Sequence, residues 1–309
     1  MAVTRSEYVW LEQGIKPVFD KALEGARKSE QFGPIEQIIT RVPSNAASEK
    51  YGWLGDVPQV AEWIGDKKLA GLKDYDYTIR NKDYYTGFSV DRNEIDDDQV
   101  GIIKPRIDLL ALTVASWPLE LIISLITGGT TNLGYDGVAF FGNTHAVGDD
   151  GANNNDNLLT GTGYTAALLA ADWATCRKTM ASFRWDSGRY IRCVPDTIVC
   201  PTALETLFLQ LKESTSDPSS SNSGVANPAG KQIKNVIALP ELNDATDWYA
   251  LCTSLPLKPF ILQERKAPTP VMDETRVKQS RKIDFSCEMR GNAGYGLYQL
   301  ALKVVNTGS

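Results

Sequence analysis

Ile103, Ile107, Leu110, Val114 and Trp117 are spaced 4, 3, 4 and 3 residues apart. That repeat is one apolar stripe of a long helix, and a helix striped on one side must bury that side against another layer. Glu94, Asp96, Asp97 and Asp98 stand just before the stripe. Carboxylates there meet the positive end of the helix dipole, which explains the run without a metal; the competing reading is a structural cation on oxygen ligands. Pro105 costs little in a first turn and kinks a helix that starts earlier. Pro118 reads as the first residue of a second helix that ends near Gly128.

Other segments follow the same logic. Residues 1–30 read as an amphipathic helical arm through Leu11, Ile15, Val18 and Leu23. Leu169, Trp173, Cys176, Met180 and Phe183 mark another helix, and Thr202 with Glu205 fits a capping box opening a further one. Strand patterns stand at "YIRCVPDTIVC", "NVIAL", "WYALCTS", "KPFILQE", "IDFSCEMR" and "YGLYQLALKVV". In "YDYTIRNKDYYTGFSV" (75–90), two alternating runs flank a polar Asn-containing turn, so the segment reads as a β-hairpin. An isolated hairpin is marginal in water and needs a surface to lie on. Helices early and strands late give an α+β class. The Ser/Asn/Gly/Pro-rich stretch 216–230 reads as an exposed loop.

Composition narrows the function. With 309 residues, 42% hydrophobic and 23% charged, the chain is globular, as one large domain or two intimate ones. A net charge of −6 gives no strong drive toward duplex nucleic acid. Basic residues read as scattered, without an aromatic-interleaved basic stripe. The most apolar run, 117–127, carries Glu120 and falls short of a membrane span, and the N-terminus has no signal-peptide core. Five cysteines without a C-x-x-C pair read as reduced, mostly buried thiols of a cytosolic product.

Catalytic motifs are scarce. His145 is the only histidine, which excludes two-histidine metal motifs. A triad with Asp149 or Asp150 lacks a G-x-S-x-G elbow, so His145 reads as a structural residue bonded at a turn. "GDDGANNNDN" (148–157) lacks the spaced glutamate of a calcium loop, and "ITGGTTNLG" (126–134) lacks the G-K-[ST] of a phosphate loop. No catalytic residue, metal or cofactor is expected.

The surplus is aromatic, with 12 tyrosines and 7 tryptophans. Trp53 and Trp63 lie in "YGWLGDVPQVAEWIGD" (51–66), which Gly52, Gly55, Pro58 and Gly65 break up too far to build its own core. Aromatics in such a segment either fold back on the body or anchor a protein interface.

The run from "SNAASEKYGWLG" to "VDRNEIDDDQVG" resembles the N-terminal third of the major head subunit family of phage Mu. Tyr51–Gly55, Glu62–Gly65, "YTIRNK" and "VDRNEIDDD" carry the likeness. "YDGVAFFGNTHAV" (135–147), "CPTALE" (200–205), "KPFILQERKAP" (258–268) and "RGNAGYGLYQLAL" (290–302) extend it in order over nearly the whole chain. Lysines in "EWIGDKK", where arginine is common, and the Ser-rich loop are departures.

The resemblance implies the Hong Kong 97 (HK97)-like major capsid protein fold. It divides the chain into an N-terminal arm (1–47), an E-loop region with its hairpin (48–93), a peripheral P-domain with the long spine helix (94–164), an axial A-domain (165–272) and P-domain return strands (273–309). It implies a subunit that assembles with itself as pentamers and hexamers around DNA in a virion, built in the bacterial host cytoplasm. Scaffold, portal and decoration proteins are possible partners, and no membrane is. Expected intersubunit contacts are Trp53, Trp63, Tyr75, Tyr77, Ile79, Arg80, Tyr84, Tyr85 and Phe88. Deleting 75–90 is expected to leave a foldable subunit that cannot close shells. No cross-linking is expected through Lys67, Lys68, Lys73 or Lys82. An encapsulin-like compartment shell, another virion part and, last, a hydrolase using His145 are the competing readings.

Overall fold

A computed structural model describes residues 5–52, 54, 75–91, 100–148, 153–185, 187–218, 224–242, 244–273 and 282–306, with backbone alone for 5–15 and 100–103. The acidic run 94–98, Trp53, Trp63, Lys67, Lys68, Lys73, Asp149 and Asp150 lie outside those residues.

The first layer is helical. Helix α1 (Arg5–Arg27) and helix α2 (Val100–Gly128) pack together and bury Phe19, Leu23, Ile107, Leu110, Val114 and Trp117. The predicted stripe therefore faces inward. Pro118 does not start a second helix; α2 runs through both Pro105 and Pro118. A proline in mid-helix removes one hydrogen bond and strains the turn before it, and burial of Ile122 and Ile126 farther along holds the helix together. From Lys104 to Gly128 this helix is long and apolar enough to cross a membrane, contrary to the sequence expectation. Its exposed positions include the polar Asp108, Thr113, Glu120, Ser124 and Thr127, with Leu109 and Leu112 exposed among them. Its other side is the wall of the core.

Under the helices lies a four-stranded sheet of β1 (Ile39–Pro43), β4 (Lys82–Asp91), β11 (Phe260–Asp273) and β12 (Lys282–Tyr295), in the order β1-β11-β12-β4. Strand β1 runs parallel to β11; the other pairs are antiparallel. Alternation on β12 sends Ile283, Phe285, Cys287 and Met289 toward the helices.

A second body is built on five strands: β7 (Leu158–Thr160), β8 (Thr197–Cys200), β9 (Asn235–Ala238), β10 (Trp248–Leu251) and β13 (Ala301–Val305), in the order β7-β13-β10-β8-β9. Helices α3 (Ala166–Ala181) and α4 (Thr202–Glu213) and the short α5 (Ala229–Gln232) belong to this body; Trp173, Cys176, Met180, Phe208, Leu211 and Trp248 fill its core. The strand expected across 190–200 is confined to β8. Thr202 is not a cap: α4 is preceded by Pro201, and no side chain caps it. A minor ladder joins β5 (His145–Val147) to β6 (Asn153–Asn155). All five cysteines are free and buried. Strand β13 lies in the five-stranded sheet, whereas β11 and β12 form one hairpin of the four-stranded sheet. The expected boundary at 272/273 falls inside that hairpin.

The expected hairpin at 75–90 is not formed. Strand β3 (Thr78–Arg80) pairs antiparallel with β2 (Ser48–Lys50), and β4 pairs with β12 over ten consecutive positions. The polar residue between β3 and β4, Asn81, is a buried joint between two sheets and not a solvent-facing turn. The real hairpin is β2–β3, and it encloses residues 51–77.

Candidate assembly surface

The loop enclosed by β2 and β3 leaves the body from a hydrogen-bonded base. Gln263, fully buried on β11, is its centre. Its Oε1 accepts from the Tyr51 hydroxyl at 2.9 Å, and its Nε2 donates to Asn81 Oδ1 at 2.7 Å and to the Ile79 carbonyl at 3.2 Å. Asn81 Nδ2 donates to Ser44 Oγ and to the Ala46 carbonyl, both at 2.9 Å. Buried amides satisfied on every side fix position, because each lost partner leaves a desolvated group. Burial pushes the Tyr51 phenol up to about 12.

A second anchor is Tyr77, whose hydroxyl accepts from the Tyr295 N–H at 2.7 Å. Burial raises its phenol to about 12 as well. Gly294 makes that approach possible: a Cβ there would stand 2.4 Å from Ile79 Cδ1 and 2.9 Å from the Tyr77 oxygen. The ends of the enclosed segment meet where the Tyr75 N–H donates to the Gly52 carbonyl at 3.2 Å. Nearby, Arg41 Nη1 donates to Glu264 at 2.6 Å while Nε holds Glu36 at 2.8 Å, tying β1 to β11. Burial opposes that charge, but the two carboxylates outweigh it and raise the Arg41 pKa.

The expected contact residues divide three ways. Ile79 is buried in the chain's own core, Tyr75 packs edge-on against Tyr135 at 5.0 Å, and Tyr77 is held by Tyr295. Tyr84 leans on Trp117 at 5.2 Å and Phe88 stacks on Phe285 at 5.3 Å. Those five side chains therefore spend much of their surface inside the subunit. Arg80 is exposed, and its carbonyl accepts from Asn292 Nδ2. Tyr85 stands out at 84% exposed, on the face of β4 away from the helices.

Sequence reasoning missed Gln263, Asn81 and Gly294. A signal existed for the first: a glutamine directly after Phe260, Ile261 and Leu262, inside an apolar strand pattern, demands a buried partner.

Between β4 and α2, an open groove of about 480 Å³ is lined by Thr86, Phe88, Arg106, Leu109 and Thr113. Leu109 is 63% exposed there and Leu112 lies beside it on α2. Large apolar groups left outside in this way are surface available to a partner.

His145 is not at a turn but in β5, fully buried. Its Nδ1 meets Asp136 Oδ2 at 2.5 Å and its ring stacks on Tyr298 at 3.7 Å. No nucleophile is placed beside it among the contacts described. Among the described residues, no group of three His, Cys, Asp or Glu side chains could hold a metal ion.

The spine helix over a four-stranded sheet, the five-stranded body and the anchored loop define a major capsid protein fold of the HK97-like class. The procapsid structure of bacteriophage JBD30 shares it with a TM-score of 0.60, covering 99% of this chain and 77% of that one at 22% identity. The family described as Mu-like prophage major head subunit gpT matches residues 9–169 and 225–307, and the chain belongs to that family. It is 28% identical over 271 residues to the Mu-like prophage FluMu major head subunit of Haemophilus influenzae, covering 86% of this chain and 64% of the relative. It is 30% identical over 164 residues to the major capsid protein of Escherichia phage Mu, covering 52% of each. The chain thus spans less than two thirds of the length of both relatives.

Proposed function

We propose that this chain is a head-shell subunit that self-assembles, as pentamers and hexamers, into an icosahedral container for double-stranded DNA. The observation that carries the reading is the loop base around Gln263. A fully hydrogen-bonded root holds a segment containing Trp53 and Trp63, whose bulk suits burial against a neighbour. Small changes at the Gly52–Tyr75 root let one fold tile pentamers and hexamers, and many weak contacts add through multivalency. The neighbour-facing side chains in this reading are Trp53, Trp63, Arg80 and Tyr85, with the outer edges of Tyr84 and Phe88.

The P-domain comprises α1, α2 and the four-stranded sheet, and the A-domain comprises the five-stranded sheet with α3 and α4. Scaffold, portal and decoration proteins are the further partners; the particle assembles in the host cytoplasm. The subunit has no catalytic role: a folded His145→Ala variant that loses a measurable turnover would overturn that statement. Negative-stain electron microscopy of the purified full chain tests the main reading. Closed shells with DNA support it. Closed shells holding cargo protein and no DNA mean a compartment shell, and tubes mean another virion part.

A further inference from the structure

Arg177, Lys178, Arg184, Arg189 and Arg192 fall within 16 residues of a chain whose net charge is −6. The sequence pattern reads as scattered because these cations are spread over a helix end, a turn and a strand approach. The fold gathers the last three. The Ile191 N–H donates to the Phe183 carbonyl at 2.9 Å, the Trp185 N–H to Arg189 at 2.8 Å, and the Gly188 N–H to Trp185 at 2.7 Å. Gly188, at φ 79°, closes this tight turn, and a bridge places Arg184 opposite Tyr190.

Elsewhere in the molecule several cations sit on carboxylates, Arg41 on Glu36 and Glu264, Lys234 on Asp196, Lys266 on Glu288 and Lys303 on Asp247, while others such as Lys212 and Lys231 are in no ion pair among the described residues. Among the described residues, none of the five cations in 177–192 is in an ion pair. Two have structural explanations. Lys178 lies in the last turn of α3, where a cation complements the dipole, and Arg177 Nη1 donates to the Pro195 carbonyl at 3.0 Å. Arg189 and Arg192 have no such account, and the contacts of Arg184 lie wholly within the turn.

Arg184 is held in place. Its Nη1 donates to the Gly188 carbonyl at 3.0 Å and its Nη2 to the Tyr190 hydroxyl at 2.8 Å, with the guanidinium carbon 4.3 Å from the Tyr190 ring centre. Tyr190 is itself 52% exposed. Arg192 is exposed and takes φ 59°, a left-handed conformation that a long side chain adopts only at a cost. A fixed guanidinium on an open aromatic ring, in a turn whose sequence carries three arginines against one carboxylate, Asp186, is chemistry for phosphate oxygens.

We propose that the 184–192 turn is a contact for the phosphate backbone of duplex DNA. The choice of duplex as partner rests on the shell reading above. Backbone contact carries no sequence preference, and three cations in an acidic chain give weak, salt-sensitive binding that leaves the nucleic acid free to move.

The test uses the unassembled full-length chain and a fluorescein-labelled 20-base-pair duplex, followed by anisotropy between 50 and 200 mM salt. Three phosphate contacts predict a log–log slope of about −2.7, or about 40-fold weaker binding at the higher salt. In the double variant Arg189→Gln/Arg192→Asn the slope falls to about −0.9, with an unchanged melting curve. Asn is chosen because it tolerates left-handed φ. Three results overturn the proposal: no salt-dependent binding by the parent chain, a variant with the parent's slope, or a polyglutamate peptide that binds more tightly than the duplex and so points to an acidic protein. The two readings fail separately. Normal shells from subunits with no duplex affinity overturn the contact alone. Duplex binding by subunits that never close into shells supports the contact and overturns the shell.

Discussion

Gln263→Leu keeps the side chain's bulk and removes all three of its hydrogen bonds. The Tyr51 hydroxyl and Asn81 Oδ1 are then left in a buried place without the partner that satisfied them. An orphaned buried polar group costs about 1–3 kcal/mol, so the substitution costs about 2–6 kcal/mol. That is a large share of the roughly 5–15 kcal/mol by which a folded chain is stable. At about 2 °C per kcal/mol, the thermal midpoint of the unassembled subunit falls by about 4 °C or more. Tyr51→Phe alone orphans Gln263 Oε1 and costs about 1–2 kcal/mol. Once Gln263 is gone, however, the hydrogen bond the two residues share is already lost, and removing the tyrosine hydroxyl cannot lose it again. The double variant should therefore lose less than the sum of the two single losses. Circular dichroism melts of the four proteins measure this cycle. A Gln263→Leu shift below about 1 °C, or strict additivity, would refute the network as the root of the loop.

Replacing residues 56–73 by a short Gly–Ser linker should leave the melting curve intact, because Gly52 and Tyr75 already meet at 3.2 Å, while abolishing closed shells under the electron microscope. The deletion expected to do this from sequence, 75–90, would instead remove β3 and β4 from their sheets and unfold the body. Gly87→Ala places a methyl group 2.5 Å from the Phe285 carbonyl oxygen and 2.9 Å from Ser286 Cα, and should lower the urea midpoint by about 1–3 kcal/mol of stability; an unchanged midpoint contradicts the β4–β12 register. Burial alone would raise the Asp196 carboxyl, but the Thr253 N–H, the Thr253 hydroxyl and Lys234 hold it below the usual range. Its folded pKa being depressed, it contributes stability above its unfolded value of about 3.9 and loses that contribution as pH falls through the folded value. Asp196→Asn should therefore be less stable than the parent at pH 7, with a gap that narrows below about pH 4; a gap constant with pH would count against the assignment.

The parts of the fold legible in sequence were those where burial alone sets the pattern. The stripe from Ile107 to Trp117 fixes α2 because a one-sided helix has one way to face a sheet. Strands β9 and β10 read cleanly because apolar runs bounded by turns have few alternatives. Failures came where partners decide. Alternation on either side of Asn81 is real, but a period of two cannot say which strand lies alongside, and Asn81 serves a buried joint as readily as a turn. Pro118 looked like a helix start because the sequence does not show how much packing compensates its missing N–H. The 184–192 arginines have no periodicity at all, since a turn brings them together. For the assembly surface, the aromatic surplus was visible, but its division between Ile79 inside and Tyr85 outside depends on register.

The loop's root has a consequence for the order of events during synthesis. Tyr51 takes its partner from Gln263, 212 residues later, and Arg41 meets Glu264 across 223 residues. Tyr77 and Arg80 wait for Tyr295 and Asn292, near the end of β12. Contacts so distant in sequence form late in folding. A ribosome-bound chain that has emitted its loop therefore holds it without a foundation until the last strands emerge. Fragments broken off before β11 carry every aromatic of the loop and lack Gln263, Asn292 and Tyr295, on which it stands. On the proposed shell reading, completion of the chain licenses entry into the shell, and prematurely ended subunits are barred from a growing lattice.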